Sequence, residues 1–338
     1  MTVRQPERLL PSHRPAFSTR LGAAYSANAE DILDSLPDRS VQLVLTSPPY
    51  ALHFKKEYGN VDQEQYVEWL LGFAPKIRRV LRADGSFVLN LGGSWTPGQP
   101  TRSLCHLEVP VEIVKKGGFL IAQEFFWYNP AKLPAPAEWV NVRKIRVKDS
   151  VEYIWWFSRE AFPKADNRRV LQRYSPDMER LLRRGYRPTV RPSGHVITEK
   201  FVDRRGSIPG NLLSMGNNDA NSHYFMRCQQ ESIQPHPARF PPQLPAFFVR
   251  FLTDPGDLVL DPFAGSCTTG EVAENLGRRW LCVDREPAYL KAAKFRFEIP
   301  WDENRRRAVL GVDDATEGGG PGDDASQQTL LPLGKAGT

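Results

Sequence analysis

The chain has only four cysteines among its 338 residues, Cys105, Cys228, Cys267 and Cys282, and no two of them form a Cys-x-x-Cys pair. This argues against a structural zinc site and against a disulfide framework. No apolar run approaches the roughly 18 residues needed to cross a bilayer, and residues 1–20 carry arginine and proline where a signal peptide would have an apolar core. A soluble, cytoplasmic protein is the expectation. No internal repeat suggests a solenoid or propeller. The chain also lacks a full Gly-x-Gly-x-x-Gly and a Walker lysine, which disfavours NAD and nucleoside triphosphates. The net charge of +6 is modest, so the placement of charge matters more than its sum.

What is present alternates between strand and helix. Val41 to Leu45 is a short apolar run of strand character that ends at Thr46-Ser47-Pro48-Pro49-Tyr50, where two prolines forbid both a sheet ladder and a helix. Residues 64–81 place Tyr66, Trp69, Leu70, Phe73, Ile77, Val80 and Leu81 at helical spacing, closed by a turn at Ala83-Asp84-Gly85, and residues 86–91 read as the next strand. A helix over 109–116 and strands over 119–128 and 151–157 follow. After a helix at 244–252, Leu258-Val259-Leu260-Asp261 runs as a strand into a loop, Thr269 to Leu276 as a helix and Trp280 to Asp284 as a strand. This is a βαβ unit, and the whole reads as an α/β fold with a mixed, mostly parallel sheet.

Two loops carry chemistry. Asp261-Pro262-Phe263-Ala264-Gly265-Ser266 places small residues where a strand becomes a helix, and Asp284 ends the following strand. In such units a nucleotide lies against the helix N-terminus and an acid accepts hydrogen bonds from ribose hydroxyls, which suggests an adenosine-containing cofactor; an ordinary αβ turn is the alternative. In Ser47-Pro48-Pro49-Tyr50, the serine hydroxyl and the carbonyl of Pro48 are acceptors able to hold both hydrogens of an amino group. That restraint aims an otherwise delocalised lone pair at a methyl sulfonium, and Tyr50 could stack on a base rotated out of a duplex. A proline-stiffened turn with a core tyrosine is the other reading. Methylation at a ring carbon would need an attacking thiolate, commonly from a Pro-Cys pair, and no cysteine here follows proline.

With Thr46-Ser47-Pro48-Pro49-Tyr50 preceding Asp261 to Ser266, the chain resembles the beta group of amino-methyltransferases, in which the catalytic half comes before the cofactor half. Longer stretches, TSPPYALHFKKEYGN, FFWYNPAKLPAPAEWVNVRKIRVKD, WWFSR, RPSGH, GSIPGNLL and HPARFPPQLPAFFVRFLT, are similar to the PvuII-type cytosine-N4 DNA methyltransferases. The resemblance implies a Rossmann-like methyltransferase fold in circularly permuted order with a small target-recognition domain, S-adenosyl-L-methionine as cofactor, and double-stranded DNA as substrate. It also implies a partner restriction endonuclease in the same system, and leaves monomer and homodimer both open. By the same resemblance Ser47, Pro48, Pro49 and Tyr50 are catalytic, and Asn28, Phe240, Asp261, Pro262, Phe263, Ala264, Gly265, Ser266, Thr268 and Asp284 bind the cofactor. Ser47 favours cytosine N4 over adenine N6, which usually goes with aspartate at this position. An inactive DNA-binding repressor on this scaffold is a further alternative.

Three positions depart from the family pattern. Asn90 stands where an acid is proposed to act with the serine, Asn28 where an aspartate commonly contacts adenine, and Cys267 where glycine is usual.

The implied organisation is an N-terminal arm (1–20), a catalytic half (21–157), a basic, loop-rich recognition domain (158–234), a cofactor half (235–301) and a disordered tail (302–338). Lys55, Lys56, Arg143, Lys144, Arg146, Lys148, Arg191, Arg204 and Arg205 are the expected DNA-binding residues, since arginine reaches guanine edges bidentately and both types neutralise phosphates. Any one of these taken alone could be a solvated surface charge.

Overall fold

A computed structural model describes residues 6–50, 63–96, 98–184, 189–190, 196–197, 206–217 and 222–311. Its strands are β1 (Phe17–Ser18), β2 (Gly22–Ser26), β3 (Val41–Thr46), β4 (Leu81–Leu91), β5 (Leu120–Tyr128), β6 (Val151–Ser158), β7 (Thr189–Val190), β8 (Val196–Ile197), β9 (Leu212–Ser214), β10 (Leu258–Asp261) and β11 (Arg279–Asp284). The helices are α1 (Ala29–Ser35), α2 (Gln63–Leu71), α3 (Phe73–Val80), α4 (Cys105–Lys115), α5 (Pro176–Arg184), α6 (His223–Gln230), α7 (Gln243–Leu252), α8 (Thr268–Asn275), α9 (Pro287–Ala293) and α10 (Glu303–Leu310). Nine strands form one sheet in the order β1-β2-β11-β10-β3-β4-β6-β5-β9, while β7 and β8 pair separately. Neighbours run parallel from β2 through β4 and again between β5 and β9; β6 is antiparallel to both β4 and β5, and β1 is antiparallel to β2.

Every residue of β3 and β10 is buried, because helices cover both faces of the sheet there. Val44, Leu258 and Leu260 face a core with α1, α2, α3 and α4; Leu43, Leu45 and Val259 face a second core with α7, α8 and α9. The connection leaving β3 therefore runs over one face and the connection leaving β10 over the other. Between these two adjacent parallel strands the carboxyl ends open into a crevice, the place where open α/β sheets bind ligands.

Several elements differ from the sequence expectation, for local reasons. The expected helix over 64–81 is two helices, α2 and α3, separated at Gly72. Residues 83–85 are not a turn that closes a helix. They lie in β4, where residues 82–85 bulge opposite Gln42, whose side-chain amide donates to the Asp84 carbonyl at 3.2 Å. The expected N-terminal arm is part of the body, with β1 paired to β2 and Leu10 fully buried. Disorder from residue 302 onward is corrected as well: α10 forms, Val309 is buried, and Arg305 reaches the buried Glu271 at 2.8 Å; residues 312–338 lie outside the described residues. Near the other end of the basic segment, β9 joins the main sheet beside β5.

Candidate active site

The two loops singled out in the sequence leave adjacent strands and are tied together at their roots. The Thr46 hydroxyl, at the end of β3, donates to Asp261 Oδ1 at 2.7 Å across to β10; the Thr269 hydroxyl donates to Oδ2 at 2.7 Å and the Phe263 amide to Oδ1 at 3.2 Å. Burial pushes the Asp261 carboxyl up to about 6, against the pull of these three donors. With both oxygens engaged inside the protein, Asp261 braces the seam and has little left for a ligand.

Ser47, Pro48, Pro49, Tyr50, Asn28, Phe240, Asp261, Pro262, Phe263, Ala264, Gly265, Ser266, Thr268 and Asp284 all line one cavity of about 770 Å³. On the β10 side, Asp284 ends β11 and accepts the Gly265 amide at 2.8 Å and the Glu286 amide at 2.9 Å, with burial raising its pKa. Gly265 has φ +51°, and a Cβ there would lie 3.0 Å from the His236 ring, so only glycine leaves this stretch of backbone open beside the histidine. Cys267, at φ +54° and ψ 35°, adopts the left-handed conformation for which glycine is better suited; it occupies the N-cap position of α8 with its side chain fully buried and making no capping hydrogen bond. Phe263 packs edge-on against Phe73 at 5.2 Å between ring centres and tilted against Trp69 at 5.7 Å.

Glu30, Asp31 and Glu286 add carboxylates to the same wall as Asp284. This donor set fits a cofactor that carries ribose hydroxyls, an ammonium and a sulfonium: the acids accept from hydroxyls and complement the positive charges. Burial lowers the His236 pKa to about 4, so its ring is neutral and packs edge-on against Tyr289 at 4.3 Å.

On the β3 side the polar groups form a connected set. The Ser47 hydroxyl donates to Tyr50 Oη at 3.2 Å, and the Tyr50 hydroxyl donates to Glu152 Oε2 at 2.6 Å. The Asn90 amide, near the end of β4, donates to Tyr50 Oη at 2.7 Å, Glu152 Oε2 at 3.1 Å and Ser47 Oγ at 3.3 Å. Lys132 donates to Glu152 Oε1 at 3.0 Å. Burial, and then the charge of Glu152, hold the Tyr50 phenol far above its ordinary pKa, so it stays neutral and can both donate and accept.

A family model described as DNA methylase, of the N6/N4 type, matches residues 41–295, a span that includes both loops. The chain belongs to this DNA methylase family. Over 288 residues the methylase is 48% identical to the type II methyltransferase M.PvuII of Proteus hauseri, covering 84% of this chain and 86% of that one. To the type II methyltransferase M.BglII of Bacillus subtilis it is 27% identical, over 87% of this chain and 74% of the relative. Among solved structures, the PvuII DNA methyltransferase, titled cytosine-N4-specific, superposes with a TM-score of 0.70 at 41% identity, covering 88% of this chain and 94% of that one. The fold is that of the S-adenosylmethionine-dependent methyltransferases, with the catalytic strands first in the chain.

Of the basic residues expected to meet DNA, the described ones, Arg143, Lys144, Arg146 and Lys148, do not line the cavity. Arg143 pairs with Glu138 at 2.8 Å and lies over the Trp139 ring at 5.0 Å; Arg146 pairs with Asp149 at 3.2 Å; Lys148 donates to the carbonyls of Pro130 and Lys132. Lys144 is exposed, at φ +57°. Lys55, Lys56, Arg191, Arg204 and Arg205 lie outside the described residues.

Glu152 and Lys132 were missed from the sequence. The available signal was a single acid in the otherwise apolar and aromatic strand Val151 to Phe157, and a lysine just after the Asn129-Pro130 turn; only the folded structure shows that Glu152 reaches Tyr50 and Asn90, and that Lys132 reaches Glu152.

Proposed function

We propose that this methylase transfers the methyl group of S-adenosylmethionine to N4 of a cytosine flipped out of duplex DNA. The observation that carries the reading is the joining of the Ser47–Tyr50 loop and the Asp261–Ser266 loop across one seam into one cavity, in a chain 48% identical to M.PvuII. When bound, the cofactor supplies an electrophilic methyl on a sulfonium. Asp284, Gly265, Phe263, Asn28 and the His236–Phe240 segment hold it on the acidic wall. Ser47 Oγ and the Pro48 carbonyl accept the two hydrogens of the target amine and aim its lone pair. Asn90 Oδ1, buried without a hydrogen-bond partner among the described residues, supplies a further acceptor beside them. Tyr50, Trp127 and Pro49 give the base an apolar berth.

Residues 158–234 serve as the recognition domain, with Arg191, Arg204 and Arg205 reading or gripping DNA and Lys55, Lys56, Arg143, Lys144, Arg146 and Lys148 facing phosphates. The similarity to type II methyltransferases supports a cytoplasmic modification enzyme that protects host sites from a cognate restriction endonuclease. Nucleoside mass spectrometry of unmethylated genomic DNA after incubation with enzyme and cofactor tests the reading. N4-methylcytosine is the expected product. N6-methyladenine would keep the site and overturn the target, and cofactor binding without any transfer would point to an inactive DNA-binding protein.

A further inference from the structure

The amino-group site has its carboxylate on a different strand from the one the family resemblance implies. At position 90, at the end of β4, the side chain is an amide; the acid comes from β6, where Glu152 lies diagonally across the antiparallel register Asn90↔Ile154, on the same face of the sheet as Asn90. The direction of each hydrogen bond around it is fixed by chemistry. The Asn90 NH₂ can only donate, so it holds the Tyr50 and Glu152 oxygens as acceptors. An ionised Glu152 can only accept, so the Tyr50 proton must point to it, leaving the Tyr50 oxygen to accept from Ser47. The result is a one-way chain, Ser47 Oγ to Tyr50 Oη to Glu152 Oε2, whose other carboxylate oxygen pairs with Lys132 at 3.0 Å. Flipping the Asn90 amide would place its oxygen against the carboxylate, so Glu152 also sets which atom of Asn90 remains unpaired.

Resting on the amino-group reading above, we propose that Glu152 is the terminal proton acceptor of the methyl transfer, reached from the target amine through Ser47 and Tyr50. As the new N–C bond forms, the S–C bond breaks and its electron pair leaves with sulfur, so the base nitrogen becomes cationic. The N–H bond then breaks with its pair returning to nitrogen. That proton goes to Ser47 Oγ, the serine proton to Tyr50 Oη, and the tyrosine proton to Glu152, which ends as a carboxylic acid and returns the proton to water after product release. Ser47 and Tyr50 finish neutral, as they began. Glu152 does not touch the amine; it is a positioning group and proton sink acting through two hydroxyls.

The test is single-turnover methyl transfer as a function of pH for wild type, Glu152→Gln and the double variant Asn90→Asp/Glu152→Gln, with cofactor Kd by calorimetry and melting temperature measured on each. A proton-accepting role predicts a fall of about 10²-fold in Glu152→Gln, with cofactor Kd and melting temperature kept. It also predicts that the acid limb of the wild-type pH profile disappears in that variant, and that Asn90→Asp, which returns a carboxylate to β4, restores at least about tenfold of the loss. A Glu152→Gln enzyme as fast as wild type overturns the relay, as does a slow one whose pH profile is unchanged and which the second substitution does not rescue. Those failures leave the function standing as long as the wild type still forms N4-methylcytosine; a wild type that forms none removes the function and the relay together.

Discussion

At the residue scale the site asks for stacking and for proton handling, and one side chain serves both. Tyr50 does both: its ring lines the cavity, and its hydroxyl joins Ser47 to Glu152. Tyr50→Phe keeps the ring and deletes the relay, so methyl transfer is expected to fall about 10²-fold while 2-aminopurine fluorescence at the target position still reports a flipped base. Tyr50→Ala is expected to lose both signals. Asp261 gives a different prediction, one of stability. Its folded pKa of about 6 lies above its value in the unfolded chain, so its contribution is fully present below about pH 4 and is lost as pH rises through about 6, a difference of roughly 3 kcal/mol. Urea unfolding across that range should show the wild type losing this amount relative to Asp261→Asn, and parallel pH curves would contradict the assignment. Of these residues, Ser47, Tyr50 and Gly265 were legible in the sequence because short motifs carry them. The bracing role of Asp261 was not, since its partner Thr46, at the end of β3, becomes visible only once β3 and β10 are neighbours.

At the element scale, α8 is the part through which the cofactor loop is anchored. Glu271, almost fully buried on α8, accepts from Arg296 at 2.8 Å, from Arg305 on α10 at 2.8 Å and from the Trp301 indole at 2.8 Å; Arg296 in turn donates to the Ser266 carbonyl at 2.8 Å. Glu271→Gln removes the carboxylate charge that both Arg305 and the wholly buried Arg296 meet, and should cost about 3–5 kcal/mol in chemical denaturation. Helical spacing and strand runs located most elements to within a few residues. They failed where a local rule competed with a tertiary one. Glycine at 85 reads as a turn, yet the sheet accommodates it as a bulge opposite Gln42. The sequence after Asp302 reads as polar and unstructured, yet Arg305 and Val309 give α10 one charged and one apolar anchor to the body.

At the scale of the whole molecule, the order of the halves was legible because each half announces itself with a distinct loop, and both loops fall at the carboxyl edge that any parallel sheet provides. The polar network was not, because it joins β3, β4 and β6 and the turn after β5, and no spacing along the chain reveals that meeting. DNA binding is a property of the whole surface, and its reading makes an electrostatic prediction. Lys144 is exposed beside the cluster Arg143 to Lys148, so Lys144→Ala should weaken binding about equally across DNA sequences and lower the slope of log K against log salt by about 0.9, the value for one phosphate contact. An unchanged slope would place Lys144 off the DNA path. The central claim, that the loop following β3 holds the amine while the loop following β10 holds the cofactor, is tested most directly by pairing single-turnover methyl transfer with calorimetric cofactor binding for wild type and Ser47→Ala. The account predicts a rate reduced by about 10²-fold or more with the cofactor Kd unchanged. A Ser47→Ala enzyme that methylates at the wild-type rate would contradict it.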